Sequence, residues 1–356
     1  MPASDDEFMQ KALILATKGL GATKTNPLVG AVIVKNGKVI ATGYHAKFGV
    51  PHAEAVALKK AGKKARGAIL YVNLEPCVHF EGKKTGPCSE LIVNAGINHV
   101  VVSMLDPNPK VKGKGIAFLR RNGINVDVGV LKKAASELNL PHLKFVETKK
   151  PFVTLKVATS LDGKITKKDA KYFSSKESLK FAHSLRAQSD AILVGIGTIL
   201  ADDPLLTTRL TRGNDPLRVI LDAKLRIPLK AKVLADKNVL IFCEKVSYDG
   251  SNFKKLNQAG FSVILVKSKS GILDWNGILL ELGRRNVGRL LIEGGSKVIS
   301  SAFENRIVDK AYFIVVPEIF GVGKRLFGPH FKKAPRFELS SSSYLGRDRL
   351  LEFIPF

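Results

Sequence analysis

Val29-Gly30-Ala31-Val32-Ile33-Val34-Lys35-Asn36-Gly37-Lys38-Val39-Ile40-Ala41-Thr42 sets the fold of the first part of this 356-residue chain. Residues 29–34 form a short apolar run and residues 39–42 a second. Between them, Asn36-Gly37 is the dipeptide that best tolerates the left-handed backbone of a tight hairpin turn. Upstream, Ser4-Asp5-Asp6-Glu7 has the form of an N-cap and capping box ahead of an apolar-periodic stretch. Downstream, Pro51 fits the first position of a helix ending near Gly62, which puts His52 and Glu54 in its first turn. Residues 68–73 read as a buried strand. Pro87 opens a second helix with Cys88 in its first turn, and residues 99–103 and 125–128 read as further strands. The alternation predicts an α/β layered domain with mixed strand order.

The pattern breaks at Glu147-Thr148-Lys149-Lys150-Pro151, which is polar, charged and ended by proline. The expected domains are 1–147 and 148–356, in line with the length. In the second, residues 152–158, 191–195, 217–221, 239–243 and 261–266 read as strands and 175–187 as a helix. Residues 289–292 run into Glu293-Gly294-Gly295. No repeat at a fixed period and no low-complexity tract is present.

The composition is 45% hydrophobic, that of a globular protein able to bury real cores. No stretch approaches the roughly 20 apolar residues of a membrane span. The acidic start, Met1 to Glu7, lacks a signal pattern, so the expectation is a cytoplasmic protein without a membrane partner. Three cysteines, Cys77, Cys88 and Cys243, argue against a disulfide framework and suit metal binding. The net charge of +26 fits a nucleic acid or any anionic substrate. However, no run of Lys/Arg exceeds two residues and no aromatic-interleaved basic patch occurs.

His52-Ala53-Glu54, Pro76-Cys77 and Pro87-Cys88 carry the first chemistry. One imidazole and two thiolates make a three-ligand zinc site with its fourth position open to water, the catalytic rather than the structural arrangement. Zinc would lower the pKa of that water toward ~7. Glu54, near the metal but not a ligand, would carry protons to and from it. This is the logic of zinc-dependent nucleobase deaminases. A lone H-x-E is more often structural; the conjunction with two P-C pairs at element ends is what makes the signal specific. Ten residues separate Cys77 from Cys88, where many deaminases have two. The inserted loop carries His79, Lys83, Lys84 and Thr85, donors for a polar or phosphorylated substrate, or else a plain solvated loop.

Taken together, these motifs resemble the bifunctional deaminase-reductase family of riboflavin biosynthesis (RibD/RibG). The matching residues are Asn26-Pro27-Leu28-Val29-Gly30-Ala31, Gly43-Tyr44-His45, His52-Ala53-Glu54, Leu74-Glu75-Pro76-Cys77-Val78-His79, Thr85-Gly86-Pro87-Cys88 and Asp106-Pro107-Asn108-Pro109. The resemblance extends over nearly the whole chain. It implies a cytidine-deaminase-like α/β/α domain in which Asn26, His45, His79 and Lys84 hold a pyrimidine and its ribose phosphate. The loop between the cysteines is slightly longer than the family's, which leaves Lys83 as the alternative to Lys84.

The second domain carries Leu155-Lys156-Val157-Ala158-Thr159-Ser160-Leu161-Asp162-Gly163, Leu185-Arg186-Ala187, Gly195-Ile196-Gly197-Thr198, Asp202-Asp203-Pro204-Leu205-Leu206-Thr207-Thr208-Arg209 and Glu293-Gly294-Gly295-Ser296. Gly-Gly ahead of a helix beginning near Ser296 offers backbone N–H groups to a phosphate, though such turns are more often plain connections. A G-x-G-x-x-G fingerprint is missing, so a Rossmann dinucleotide fold is not indicated. These motifs resemble the family's reductase domain, which implies a dihydrofolate-reductase-like α/β fold and NADPH. Implied cofactor contacts are Ala158, Thr198, Asp202 and Gly294, Gly295 and Ser296. Implied substrate contacts are Arg186, Leu206, Arg209 and Glu293, with the arginines meeting the phosphate through their planar forks. Tyr172-Phe173 stands where the family usually has a tryptophan, so Tyr172 is the expected stacking residue. Lys156 and Asp162 read equally as structural or site residues.

The expected activity is therefore zinc-dependent deamination of a phosphorylated diaminopyrimidine followed by NADPH-dependent reduction of its ribosyl group to ribityl. The expected partners are that substrate and further copies of the chain, without nucleic acid. The alternative is a transfer-RNA-type deaminase with an accessory binding domain, which would use the same zinc site and account for the charge.

Overall fold

The computed structural model describes residues 4–79, 86–170, 172–245, 250–269, 271–328, 331 and 336–355. It divides into two compact units, Met1–Lys149 and Lys150–Phe356.

The first unit begins with α1 (Asp5–Thr17), where Ser4 Oγ accepts the Glu7 N–H as N-cap. The hairpin follows as β1 (Gly30–Lys35) and β2 (Lys38–Tyr44). Asn36 and Gly37 have φ of 50° and 70°, the double left-handed turn their sequence suggested. Next come α2 (Ala53–Ala61), β3 (Ile69–Val72), α3 (Cys88–Asn94) and β4 (His99–Val102). The unit ends with α4 (Lys114–Arg121), β5 (Asn125–Val128), α5 (Lys132–Leu138) and α6 (Leu140–Thr148). The strands order as β2-β1-β3-β4-β5, antiparallel across β2-β1-β3 and parallel across β3-β4-β5.

Side chains alternate across β1, which explains why its sequence is apolar throughout. Val32 and Val34 pack with Phe8, Met9 and Ala12 of α1, whereas Ala31 and Ile33 pack with Ala53, Ala57 and Ala61 of α2. The sheet is thus covered on both faces, and the unit has three layers. One boundary differs from expectation. His52 is extended (φ −71°, ψ 163°) and caps α2 instead of lying in its first turn, so Pro51 precedes the helix altogether.

The second unit opens on β6 (Phe152–Ser160), α7 (Lys176–Ala187), β7 (Ala191–Gly195) and α8 (Ile196–Asp202). It continues with β8 (Leu217–Leu221), β9 (Val239–Cys243), α9 (Ser251–Gln258), β10 (Ser262–Leu265) and the short pair β11 (Ser268–Lys269) and β12 (Ile272–Leu273). Then follow α10 (Trp275–Arg284), β13 (Arg289–Gly294), α11 (Ser296–Glu304), β14 (Lys310–Val316), β15 (Phe337–Leu345) and β16 (Asp348–Pro355). The sheet order is β10-β9-β8-β7-β13-β6-β14-β16-β15. All neighbours from β10 to β14 are parallel, and β16 and β15 add an antiparallel edge. On β7, Ala191 and Leu193 face one core while Ile192 and Val194 face the other, with Leu185 of α7 and Ile199 of α8. Both faces are again buried, the normal state of a parallel sheet.

Candidate active sites

In the first unit, three elements converge on one point. Gly43 of β2 lets the start of α2 approach closely: a Cβ there would lie 2.2 Å from the Ala53 carbonyl oxygen. That contact fixes His52 at the helix entrance. Cys77 leaves β3 on the segment 73–77, and Cys88 is the first residue of α3. His52 Nδ1 stands 3.5 Å from Cys77 Sγ and 3.3 Å from Cys88 Sγ, and the Cys88 backbone N–H points at Cys77 Sγ over 3.5 Å. All three ligand atoms lie within 4.8 Å of one another. Zinc bonds of about 2.3 Å to sulfur and about 2.0 Å to nitrogen, opened to a tetrahedral angle, separate the donors by roughly 3.5 Å. The residues therefore fit zinc without rearrangement.

Glu54 is 3% exposed beside this triad. Burial, and then the Cys77 sulfur, push its carboxyl above the usual carboxylate range, while His52 and a hydrogen bond with Cys88 pull the other way. Asn26 Nδ2 lies 3.0 Å from His45 Nε2, and His45 Nδ1 lies 3.3 Å from the Pro51 carbonyl oxygen. A carbonyl can only accept, so Nδ1 carries the proton and Nε2 accepts from the Asn26 amide. The His45 ring meets His52 edge-on with centroids 5.5 Å apart. Burial lowers its pKa against the raising effect of the Pro51 bond, with His52 lowering it further, which favours the neutral ring. Asn26 and His45 are thus brought together at the metal's flank. His79 is exposed, and Lys84, like Lys83, lies outside the described residues.

A carboxylate that sequence reasoning passed over supports the Cys77 arm. Buried Glu75 accepts four backbone N–H bonds: Asp106 (3.1 Å) and Gly113 (2.9 Å) on Oε2, Gly115 (2.9 Å) and Ile116 (3.3 Å) on Oε1. Gly115 has to be glycine, since a Cβ would lie 2.1 Å from the Pro76 carbonyl oxygen. The motif Leu74-Glu75-Pro76-Cys77 contained the signal, but only the fold shows which N–H groups the carboxylate gathers.

In the second unit a cavity of about 460 Å³ opens at the carboxyl ends of β6, β7 and β13, where parallel sheets bind ligands. Ala158, Tyr172, Thr198, Asp202, Gly294, Gly295, Arg186, Leu206, Arg209 and Glu293 all line it, as do Lys156 and His183. Ser296 is different: it is buried as the first residue of α11 and is not on the cavity wall. Gly294-Gly295 is joined by a cis peptide bond.

Arg186 grips Glu293 with two bonds, Nε to Oε1 at 2.8 Å and Nη2 to Oε2 at 2.7 Å, and gives Nη1 to the Thr207 carbonyl at 3.1 Å. Arg209 is exposed, with Nη1 bonded to Thr207 Oγ1 at 2.6 Å. Lys156 feels both charges of the pair; burial lowers its pKa, partly opposed by Glu293 and reinforced by Arg186. Asp162 sits apart from these groups and accepts from Ser160 Oγ (2.6 Å) and from the Phe320 and Gly321 N–H groups (both 3.0 Å).

Comparison with known proteins agrees with this geometry. Residues 2–104 match the model of the cytidine and deoxycytidylate deaminase zinc-binding region, and residues 151–351 match that of the RibD C-terminal domain. The riboflavin biosynthesis protein RibD of Aquifex aeolicus is 42% identical over 90% of this chain and 88% of its own length. That of Escherichia coli is 32% identical over 98% of this chain and 99% of its own. The chain belongs to the RibD family.

Solved RibD structures superpose along the full length. That from Acinetobacter baumannii gives a TM-score of 0.88 at 35% identity, with 99% of each chain covered. A Thermotoga maritima structure, titled a diaminohydroxyphosphoribosylaminopyrimidine deaminase/5-amino-6-(5-phosphoribosylamino)uracil reductase, gives 0.85 at 37% identity with the same coverage. As a RibD-family member, the chain is a bifunctional deaminase and reductase of riboflavin biosynthesis, with a cytidine-deaminase-like first domain and a reductase second domain. Its cofactors are zinc, for which the residues His52, Cys77 and Cys88 come together, and NADPH.

Proposed function

We propose that the unit ending at Lys149 deaminates 2,5-diamino-6-ribosylamino-4(3H)-pyrimidinone 5′-phosphate and that the following unit reduces the ribosyl group of the product to ribityl. The observation that carries the first half is the triad His52, Cys77 and Cys88 with buried Glu54 at its side. Bound zinc supplies an activated water for attack on the amine-bearing ring carbon. Glu54 takes the proton from that water and delivers it to the departing nitrogen, which leaves as ammonia. Asn26 and His45, fixed to each other and to the Pro51 carbonyl, present a preset pair of polar groups to the pyrimidine. His79 and Lys84 complete the grip on the ribose phosphate.

In the second unit NADPH, when bound, supplies the hydride that goes to the ribose C1 position. Ala158, Thr198, Asp202, Gly294 and Gly295 line the cavity as the cofactor's contacts, and Ser296 acts from behind the wall as the start of α11. Tyr172, on the rim, stacks on the cofactor. Leu206 and Arg209 meet the substrate, and Arg209 takes the phosphate. Arg186 and Glu293 form the polar floor. As the ring C–O bond breaks, the ring oxygen needs a proton. Lys156, on the cavity wall, is the proposed donor: burial lowers the pKa of its ammonium, which makes it a stronger acid. NADPH supplies only the hydride to carbon, so the proton returns to the amine from solvent.

The zinc site alone would also suit a nucleic-acid deaminase. The cavity with its arginines supports a phosphorylated small molecule instead, handled by a cytoplasmic homo-oligomer. The test is incubation of the zinc-loaded protein with the diaminopyrimidine phosphate, with and without NADPH, followed by mass analysis. Without NADPH the product should show replacement of NH by O; with it, the further addition of a hydrogen pair. Release of ammonia from RNA but not from the pyrimidine would overturn the reading.

A further inference from the structure

His183 lies one helical turn before Arg186 on α7, is 6% exposed, and lines the cavity. Its Nδ1 lies 2.9 Å from the Arg209 backbone nitrogen. Arg209 N–H can only donate, so Nδ1 must be the bare nitrogen and the ring proton sits on Nε2. This tautomer follows from the partner's chemistry.

The bond belongs to a set. Leu206 has a left-handed backbone (φ 56°), and the three residues after it are each tied down by a side chain. Arg186 Nη1 takes the Thr207 carbonyl, Asp215 Oδ1 takes the Thr208 N–H at 2.6 Å, and His183 takes the Arg209 N–H. Two of the three ties come from one face of α7, the helix that also supplies the Arg186 arm of the ion pair. Without His183 the Arg209 N–H would lose its acceptor at a residue whose exposed guanidinium, steadied by the bond from Nη1 to Thr207 Oγ1, lines the cavity.

We propose that His183 is a positioning residue of the reductase site, a neutral imidazole whose Nδ1 holds the Arg209 backbone so that the Arg209 guanidinium is aimed at the substrate phosphate. The inference rests on the reductase reading above and on Arg209 as the phosphate contact. It assigns a role to a histidine that neither touches the reacting atoms nor transfers a proton. The imidazole must stay neutral to do this, since an added proton would set N–H against N–H. Burial, and then the charges of Arg186 and Arg209, lower its pKa to about 4.

The two nitrogens can be separated by substitution. Asn places an acceptor near the position of Nδ1, Gln reaches only the position of Nε2, and Leu removes both. In the full-length zinc-loaded enzyme, His183→Leu and His183→Gln should raise KM for the deaminated pyrimidine phosphate about five- to tenfold, as loss of one neutral hydrogen bond allows. Their kcat should stay close to the parent's. His183→Asn should recover most of the loss. With the dephosphorylated substrate the parent and all three variants should become alike, because the phosphate grip is what the residue serves. Nitrogen NMR of labelled parent should show the His183 ring with its proton on Nε2, assigned as the signal lost in His183→Asn.

The retained kcat reports folding of the reductase unit, and deaminase turnover of the same preparations, from the other unit, controls for enzyme concentration. Unchanged KM in His183→Leu, or Asn no better than Gln, would overturn the proposal while parent reduction still occurs. Absence of reduction by the parent itself would instead overturn the reductase reading.

Discussion

Arg186 of α7 and Glu293 of β13 meet as a two-bond ion pair at the floor of the second unit's cavity, with side chains only 12% and 9% exposed. The pairing uses the face of the Arg186 fork that a phosphate would otherwise take, whereas the exposed Arg209 commits one nitrogen, Nη1, to Thr207 Oγ1. The family resemblance implies a phosphate contact for both arginines; we propose that Arg209 makes it while Arg186 holds Glu293.

The pair has a pH signature. Burial alone would push the Glu293 carboxyl up, but Arg186 and then Lys156 outweigh it and hold the carboxyl at about 2, below its ordinary 4.5. A folded-state pKa below the unfolded one stabilises the fold above the unfolded pKa, and the contribution is lost as pH falls through the folded one. The shift corresponds to roughly 3 kcal/mol, present at neutral pH and lost between about pH 4.5 and pH 2. Glu293→Gln should lower stability at neutral pH by about that amount and remove this part of the acid slope. Urea unfolding of parent and variant across that pH range checks it; parallel curves would sink the assignment.

Gly43→Ala should disturb the metal site from a distance. The new Cβ would lie 2.2 Å from the Ala53 carbonyl oxygen and 2.7 Å from the Ala57 nitrogen, both backbone atoms that cannot swing aside. The start of α2 must move, and His52 with it. Overpacking of this kind costs about 1–3 kcal/mol. Metal analysis should find less zinc, and thermal unfolding a lower Tm. Full zinc at an unchanged Tm would contradict the link between this glycine and the ligand.

Much of the first site was legible because its parts sit at element ends, where sequence signals are strongest. The turn at Asn36-Gly37, the cap at Ser4 and the helix started by Pro87 each rest on local backbone chemistry and stand in the structure as read. The sequence signal puts His52 one residue too deep in its helix because proline suits a first helical turn and equally a position just before the cap. The elements missed have other causes. Strand β15 is Phe-Glu-Leu-Ser-Ser-Ser-Ser-Tyr-Leu, an edge strand exposed along most of its length, so no apolar pattern marks it. Glu75 and His183 are recognised only by backbone groups brought from tens of residues away, which local spacing cannot announce.

Glu75→Gln tests one of those missed contacts. The carboxylate gathers four N–H donors, and an amide would turn its own NH2 toward two of them. Supports of metal ligands typically cost 10–100-fold in affinity when removed. Chelator competition should show zinc held about that much more weakly, with the His52 and cysteine ligands intact. Unaltered zinc affinity would mean that the Cys77 arm does not depend on this anchor.

Asp162, which the sequence left undecided, is structural by its contacts. The hydrogen bond from Ser160, then that from the Phe320 N–H, hold its carboxyl near 2. Asp162→Asn should raise hydrogen exchange at the Phe320 and Gly321 amides, while exchange in β6 itself stays slow. Protection unchanged at both amides would show that the loop is held by something else.

Glu54→Gln separates metal binding from chemistry. Glu54 is buried beside the ligand triad but supplies none of the three ligand atoms, so zinc should remain at the parent level by metal analysis. Gln keeps the shape of the side chain and cannot take up a proton in the working range. Ammonia release should therefore fall by about 10²–10⁴, the usual worth of a positioned acid–base group. The reductase unit, supplied directly with deaminated substrate and NADPH, should turn over as in the parent. Loss of both zinc and activity would make Glu54 a structural support of the triad, and parental ammonia release would remove it from the mechanism.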